Sequence, residues 1–105
     1  MKWISKATTG AIFSAALNLL LMAPLVAQTD QILESLESDM ESVFSETRGM
    51  IEHTRRVHAH AVEIQQQEGG DLLIVRASAI LHDIGIPKAR QVHGSSSGQF
   101  QEIEG

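Results

Sequence analysis

Apolar side chains follow two patterns along the chain: a nearly continuous run close to the N-terminus and a helical repeat beyond it. The run extends from Ala11 to Ala27. After residue 30, apolar residues recur three and four positions apart, which predicts helices that each bury one face. The alternation of apolar and polar residues that is typical of half-buried strands is not found. The sequence therefore predicts an all-α fold.

The first two predicted helices lie in residues 29–67. The first begins at Thr29 or Asp30, either of which can act as its N-cap, and ends near Gly49. The second runs from Met50 to Gln67, where Gly69-Gly70 end it. The apolar positions at helical spacing in the first helix are Ile32, Leu33, Leu36, Met40, Val43 and Phe44.

A third helix is predicted from Asp71, its N-cap, to Asp83. Gly85 would provide a left-handed C-cap, and Pro87 would prevent the helix from continuing. The chain is polar after Lys88, and the serine and glycine residues there predict a loop.

The first 27 residues have the layout of a secretory leader. Lys2 and Lys6 form a basic head, the apolar run follows, and small Ala27 stands at the candidate cleavage position. All 13 acidic residues come later, so the positive-inside tendency keeps the head in the cytoplasm and sends the remainder across the membrane. We expect residues 1–27 to be a signal peptide or membrane anchor and residues 28–105 to form one helical domain.

Three alternatives to a cleaved leader stay open. An uncleaved anchor is one, with residues 11–27 in contact with the membrane at the short limit for a span. The second is an ordinary buried helix broken at Pro24. The third is a mis-assigned start site, with a cytoplasmic protein.

Composition limits the possible functions. The chain has 105 residues, of which 43% are hydrophobic and 20% charged, which fits a single folded domain. The net charge of −5 argues against a broad nucleic-acid surface. With no cysteine, disulfides, thiolate metal sites and cysteine nucleophiles are excluded.

His53 is predicted to point into the domain. On a helical wheel with 100° per residue, Val57, His60 and Ile64 all lie within about 40° of it. A lone inward histidine is most often a hydrogen-bonded core residue, and His60 is predicted to pack or to support a nearby ligand. His58 is predicted to be solvated on the outer flank, and His93 to lie in the polar loop.

The adjacent pair His82-Asp83 ends the apolar third helix. Successive residues differ by about 100° on a helix, so the two side chains would approach a metal ion from two sides. Nitrogen and oxygen ligands without sulfur suit Mn, Fe, Mg, Co or Zn and do not select among them. With inward His53 on the preceding helix, the pair predicts a divalent metal site. Side chains more than roughly 8 Å apart would exclude it, because each ligand atom must lie about 2 Å from a shared ion.

These motifs resemble the HD-domain superfamily of metal-dependent phosphohydrolases. The matching residues are His53-Thr54-Arg55-Arg56-Val57 and Ile80-Leu81-His82-Asp83-Ile84-Gly85, and the resemblance covers about residues 36–105. It implies that residues 28–105 form a partial HD-like helical bundle with His53, His82 and Asp83 as metal ligands. Asp83 would also orient the attacking water. It further implies hydrolysis of a phosphate ester, with a phosphorylated small molecule or nucleotide as partner.

The sequence departs from the family pattern at two places. Gln101 occupies a position where many members have a histidine, which weakens the case for a second metal. The family's closing aspartate would lie beyond Gly105, so we expect a fragment or a degenerate member. The missing ligand could be replaced by Glu102, Glu104 or His93. Residues of these types are more commonly found at the surface without a ligand role.

Two cationic residues beyond the pair, Lys88 and Arg90, could bind phosphate oxygens or be ordinary solvated charges. The alternatives to an enzyme are a non-catalytic, membrane-tethered helical interaction module and an inactive fragment.

Overall fold

The computed structural model describes the backbone of residues 4–105 and the side chains of residues 22–105. Within the described backbone there are five helices and no strand, which confirms the all-α prediction. The helices are α1 (Ile4–Val43), α2 (Arg48–Glu68), α3 (Leu72–Leu81), α4 (Ile86–His93) and α5 (Gly98–Glu104). Backbone contacts divide the chain into two compact units, Met1–Gln31 and Ile32–Gly105.

The predicted leader lies largely outside the described side chains. Its first three residues are not described, and the others belong to the first part of α1. Among the described residues, no helix combines the length and the apolar character needed to cross a membrane. The signal or anchor function of residues 1–27 stays a prediction.

The predicted start of the first helix and the predicted break at Pro24 are both wrong. α1 continues through Pro24 and through Thr29 and Asp30. Thr29 does not cap a helix; its Oγ1 donates to the carbonyl oxygen of Leu25, one turn earlier, at 2.9 Å. This is the bond that a threonine inside a helix makes.

The apolar face of α1 in the second unit is narrower than the sequence predicted. Leu33, Met40 and Phe44 are buried and pack with Ile80 of α3, while Leu36 is half-buried. The predicted core positions Ile32 and Val43 are exposed. On the wheel they lie about 60–120° from Leu33, Met40 and Phe44, so they leave the buried face.

α2 and α3 form a helical hairpin. Gly69 and Gly70 have φ of +84° and +104°, a conformation that glycine adopts without strain, and α2 ends there as predicted. Asp71 then caps α3, because its Oδ1 accepts from the backbone N–H of Ile74 at 3.0 Å. The short connection folds α3 back along α2.

The chain after α3 is more helical than predicted. Gly85 is not a left-handed C-cap: its φ is −77°, and it is the N-cap of α4. Pro87 does not follow a helix but lies in the first turn of α4, where its missing N–H costs no hydrogen bond. The predicted loop after Lys88 is reduced to residues 94–97, between α4 and α5.

Candidate metal centre

The hairpin brings the three predicted ligands together. His53 lies on α2, His82 is the C-cap of α3, and Asp83 lies in the turn that leads to α4. One donor atom from each residue can be chosen so that all three lie within 4.8 Å of one another. The three side chains are therefore closer together than the roughly 8 Å that would exclude a shared site.

Asp83 Oδ2 stands between the two imidazoles. It is 3.2 Å from His53 Nε2 and 3.0 Å from His82 Nε2. The two rings are tilted by 48°, with their centroids 5.5 Å apart. The side chains of His53, His82 and Asp83 are 42%, 33% and 17% exposed. The cluster therefore opens to solvent and is accessible to a small molecule.

The hydrogen bond made by His82 Nδ1 determines whether His82 Nε2 presents a proton or a lone pair to Asp83. His82 Nδ1 lies 2.7 Å from the carbonyl oxygen of Ala79, which can only accept, so Nδ1 carries the proton. In the neutral ring, Nε2 then presents a lone pair to Asp83 Oδ2. Two lone-pair atoms 3.0 Å apart repel unless a cation, either a proton or a metal ion, lies between them. A backbone hydrogen bond of this kind also orients metal-binding histidines.

The distances fit a shared divalent ion. Two ligand atoms that are each about 2.1 Å from one ion, at a right angle, are about 3.0 Å apart. The separations of Asp83 Oδ2 from the two Nε2 atoms match this value. The residues present therefore suit a cation with mixed nitrogen and oxygen ligands.

Gln101 of α5 contacts the cluster, which the sequence did not predict. Its Nε2 donates to Asp83 Oδ1 at 2.8 Å and to the carbonyl oxygen of His82 at 3.0 Å. The sequence identified Gln101 only as a substitute for a histidine. Its contact depends on how α5 docks, and no local pattern indicates that.

Gly85 allows α5 to lie close to the cluster. A Cβ atom at position 85 would overlap the carbonyl oxygen of Gln101 and would come within 2.7 Å of the backbone nitrogen of Gly105. Only glycine leaves space for the end of α5 at this point.

A second contact joins α5 to α4. His93 Nε2 lies 2.9 Å from Glu104 Oε1, and the His93 ring stacks on Phe100 with centroids 4.5 Å apart. The prediction that His93 lies in a loop is wrong, because it ends α4 and packs on α5.

Two predictions about the other histidines of α2 are also wrong. His60 does not pack near the cluster: its side chain is 74% exposed and lies 3.5 Å from Glu63. His58 is not simply solvated but half-buried, and its Nε2 accepts from Arg76 Nε at 3.0 Å. The buried face of α2 centres on Thr54, about 100° from His53, so His53 lies at the edge of that face.

The proposed substitutes for a fourth ligand do not join the cluster. Of the described acidic and histidine side chains, only His53, His82 and Asp83 form it. His93 and Glu104 pair with each other, and Glu102 lines a neighbouring cavity of about 320 Å³ together with His82 and Gln101.

Neither cationic residue beyond the pair is seen to contact the cluster. Arg90 donates from Nε to Ser96 Oγ at 3.2 Å, and Lys88 is exposed on α4.

The comparison with known proteins agrees with this geometry. The family model of the HD domain matches residues 50–100, about half of the chain, and the match includes all three residues of the cluster. No curated protein and no solved structure matches the chain. The chain belongs to the HD-domain superfamily, a family of metal-dependent phosphohydrolases.

Proposed function

We propose that this protein binds a divalent cation through His53, His82 and Asp83 and uses it to hydrolyse a phosphate ester of a small molecule, with nucleotides among the candidates. The observation that carries the proposal is the position of Asp83 Oδ2, 3.2 and 3.0 Å from the two Nε2 atoms. Mn, Fe, Mg, Co and Zn all accept such a ligand set.

A bound divalent cation supplies positive charge to a phosphoryl oxygen and favours the ionisation of a water molecule. The hydrolysis adds the oxygen of water to phosphorus and breaks the bond between phosphorus and the ester oxygen, which leaves with a proton. The protein's own part is to fix the donor atoms and to admit the substrate.

Each of the three residues has a separate task. His82 is held in one orientation by its bond to Ala79, so its Nε2 lone pair points at the centre. His53 supplies the second imidazole from the other arm of the hairpin. Asp83 supplies Oδ2, whose remaining lone pair can orient water, which is the catalytic role we assign to it.

The surroundings leave space for a substrate. The cavity of about 320 Å³ beside His82 and Gln101 has the size at which small-molecule sites begin, about 300 Å³. Glu102 on its wall repels a phosphate group, so the cavity suits the organic part of the ester, with the phosphate closer to the cluster.

Metal analysis of the full chain tests the proposal. We expect the wild-type protein to retain Mn²⁺ after gel filtration and to hydrolyse a chromogenic phosphate ester. His82→Gln and Asp83→Asn should lose both properties. His60→Gln is the matched control, because His60 is exposed on the same helix as His53. Equal Mn²⁺ content in all four proteins would exclude the proposed centre, and Mn²⁺ binding without hydrolysis of any phosphate ester would exclude the enzymatic function.

A further inference from the structure

Gln101 uses both of its amide N–H groups on residues 82 and 83. One is donated to Asp83 Oδ1 at 2.8 Å, and the other to the carbonyl oxygen of His82 at 3.0 Å. The opposite orientation of the amide would place its oxygen against two acceptors, so the nitrogen is the atom that faces Asp83. A carboxamide in this position acts on the carboxylate and not directly on a cation at Oδ2.

The hydrogen bond from Gln101 gives the two carboxylate oxygens of Asp83 different surroundings. Oδ1 faces the amide, whereas Oδ2 faces His53 and His82. A carboxylate held in this way offers one oxygen to a cation. A second cation at Oδ1 would meet the positive end of the N–H dipole that Gln101 donates there, which disfavours it.

The position of Gln101 is itself constrained. The α5 backbone lies against Gly85, with no space for a Cβ atom. Glu104 and Phe100, on the same helix, both contact His93 of α4. The amide is therefore held in place by contacts with residues on either side of it in the fold, and it is not an adaptable surface group.

We infer that Gln101 is a positioning residue that restricts this centre to a single divalent cation, bound at Asp83 Oδ2. The inference rests on the proposed function, since it assumes that the cluster binds a metal. Beyond the proposed function, the inference states that the Gln101 amide, a neutral hydrogen-bond donor on α5, sets the number of cations that the cluster binds. A hydrogen-bond acceptor at position 101 would change that number.

The binding of Mn²⁺ to the full chain tests this inference. It is measured by calorimetry and by electron paramagnetic resonance. The wild-type protein should bind one Mn²⁺ and give the spectrum of an isolated ion. Gln101→Glu keeps the size of the side chain but replaces the N–H donors with acceptors. It should bind two Mn²⁺ and give the spectrum of an interacting pair. Gln101→Leu removes the orienting bonds and should weaken the affinity about 10–100-fold, as removal of supporting residues does at other metal sites.

Gln99 provides the matched control on the same helix, because its side chain is exposed. Gln99→Glu and Gln99→Leu make the same chemical changes and should leave metal count and affinity at the wild-type values. Two Mn²⁺ in the wild-type protein, or Gln101 variants that behave like their Gln99 counterparts, would overturn the inference and leave the proposed function intact. A wild-type chain that binds no Mn²⁺ would overturn both.

Discussion

Arg76 donates a hydrogen bond from Nε to His58 Nε2 at 3.0 Å, and this bond joins the two helices that hold the metal-binding residues. His58 lies five residues beyond His53 on α2, and Arg76 lies six residues before His82. The bond is therefore a second contact across the same hairpin, nearer to its closed end. It requires a neutral His58, because a protonated imidazole has no lone pair to accept with.

The pH dependence of stability should reflect this bond. Burial lowers the pKa of His58 below its ordinary value; Arg76 lowers it further and Glu37 opposes the shift. As pH falls below about 6.5, the unfolded chain takes up a proton at this position and the folded chain does not. Stability that His58 contributes above that pH is therefore lost as the pH falls toward the lowered pKa.

Urea unfolding between about pH 5 and pH 7.5 measures the effect. The wild-type protein should lose more stability on acidification than His58→Gln, which has no group to titrate. His60→Gln should keep the wild-type slope, because His60 is exposed. Identical slopes for wild type and His58→Gln would contradict the prediction.

Gly85→Ala should displace α5 from the cluster. The added methyl group meets backbone atoms of Gln101 and Gly105, which cannot rotate away as a side chain could. We expect a loss of about 1–3 kcal/mol in the free energy of unfolding, the usual cost of overpacking. Mn²⁺ affinity should fall as well, because Gln101 moves.

Gly98→Ala is the control for this substitution. A Cβ atom at position 98 has no neighbour within 4 Å, so the variant should unfold near the wild-type urea concentration. If Gly85→Ala matched Gly98→Ala in stability and in Mn²⁺ affinity, the close approach of α5 to the turn would be excluded.

Thr54→Val should stabilise the protein. Thr54 is 1% exposed, and its Oγ1 has no hydrogen-bond partner in the described part of the chain. Valine has nearly the same shape without the hydroxyl, so the cost of burying an unpaired polar atom is removed. We expect the free energy of unfolding to rise by up to about 1 kcal/mol.

Thr54→Ser keeps the hydroxyl and loses a methyl group, so it should be less stable than the wild type. A cavity of about 20 Å³ borders Thr54, His58 and Ile80, which is enough volume for one water molecule. A Thr54→Val protein less stable than the wild type would contradict the prediction, and it is the result expected if a water molecule in this cavity bonds to Oγ1.

The N-terminal segment is predicted to direct export or membrane anchoring. Its described apolar side chains Met22, Leu25 and Val26 are each more than half exposed, so they are available to a membrane or an export receptor. A reporter that folds only outside the cytoplasm, fused after Gly105, should be active with the full chain and inactive when residues 1–27 are removed. Replacing Lys2 and Lys6 by glutamate should reduce its activity. An inactive reporter on the full chain would contradict the prediction.

The helical hairpin and the cluster could be predicted because their signals are local. A helix boundary is marked by the cap at Asp71 and by the glycine pair after α2. The buried face of a helix is marked by the spacing of its apolar residues. The clustering of His53 with His82-Asp83 then follows from two helices joined by a short turn.

The elements that the sequence did not predict depend on tertiary contacts. α4 is short and polar, and its helical state is supported by buried Ala89 and by the packing of His93 on Phe100. A helical wheel centred on His53 predicts that His60 lies near the cluster. The structure instead centres the buried face on Thr54, and one helical position is enough to move His60 into solvent.

The hairpin also implies an order of assembly during folding. His53 and His82 are brought together by a single local pairing, and such contacts form early because little chain entropy is lost in closing a short loop. Gln101 reaches Asp83 only after a further helix has docked. The metal-binding atoms of His53, His82 and Asp83 should therefore come together before the Gln101 side chain reaches Asp83. Backbone amides of α5 should also exchange with deuterium faster than those of α2 and α3.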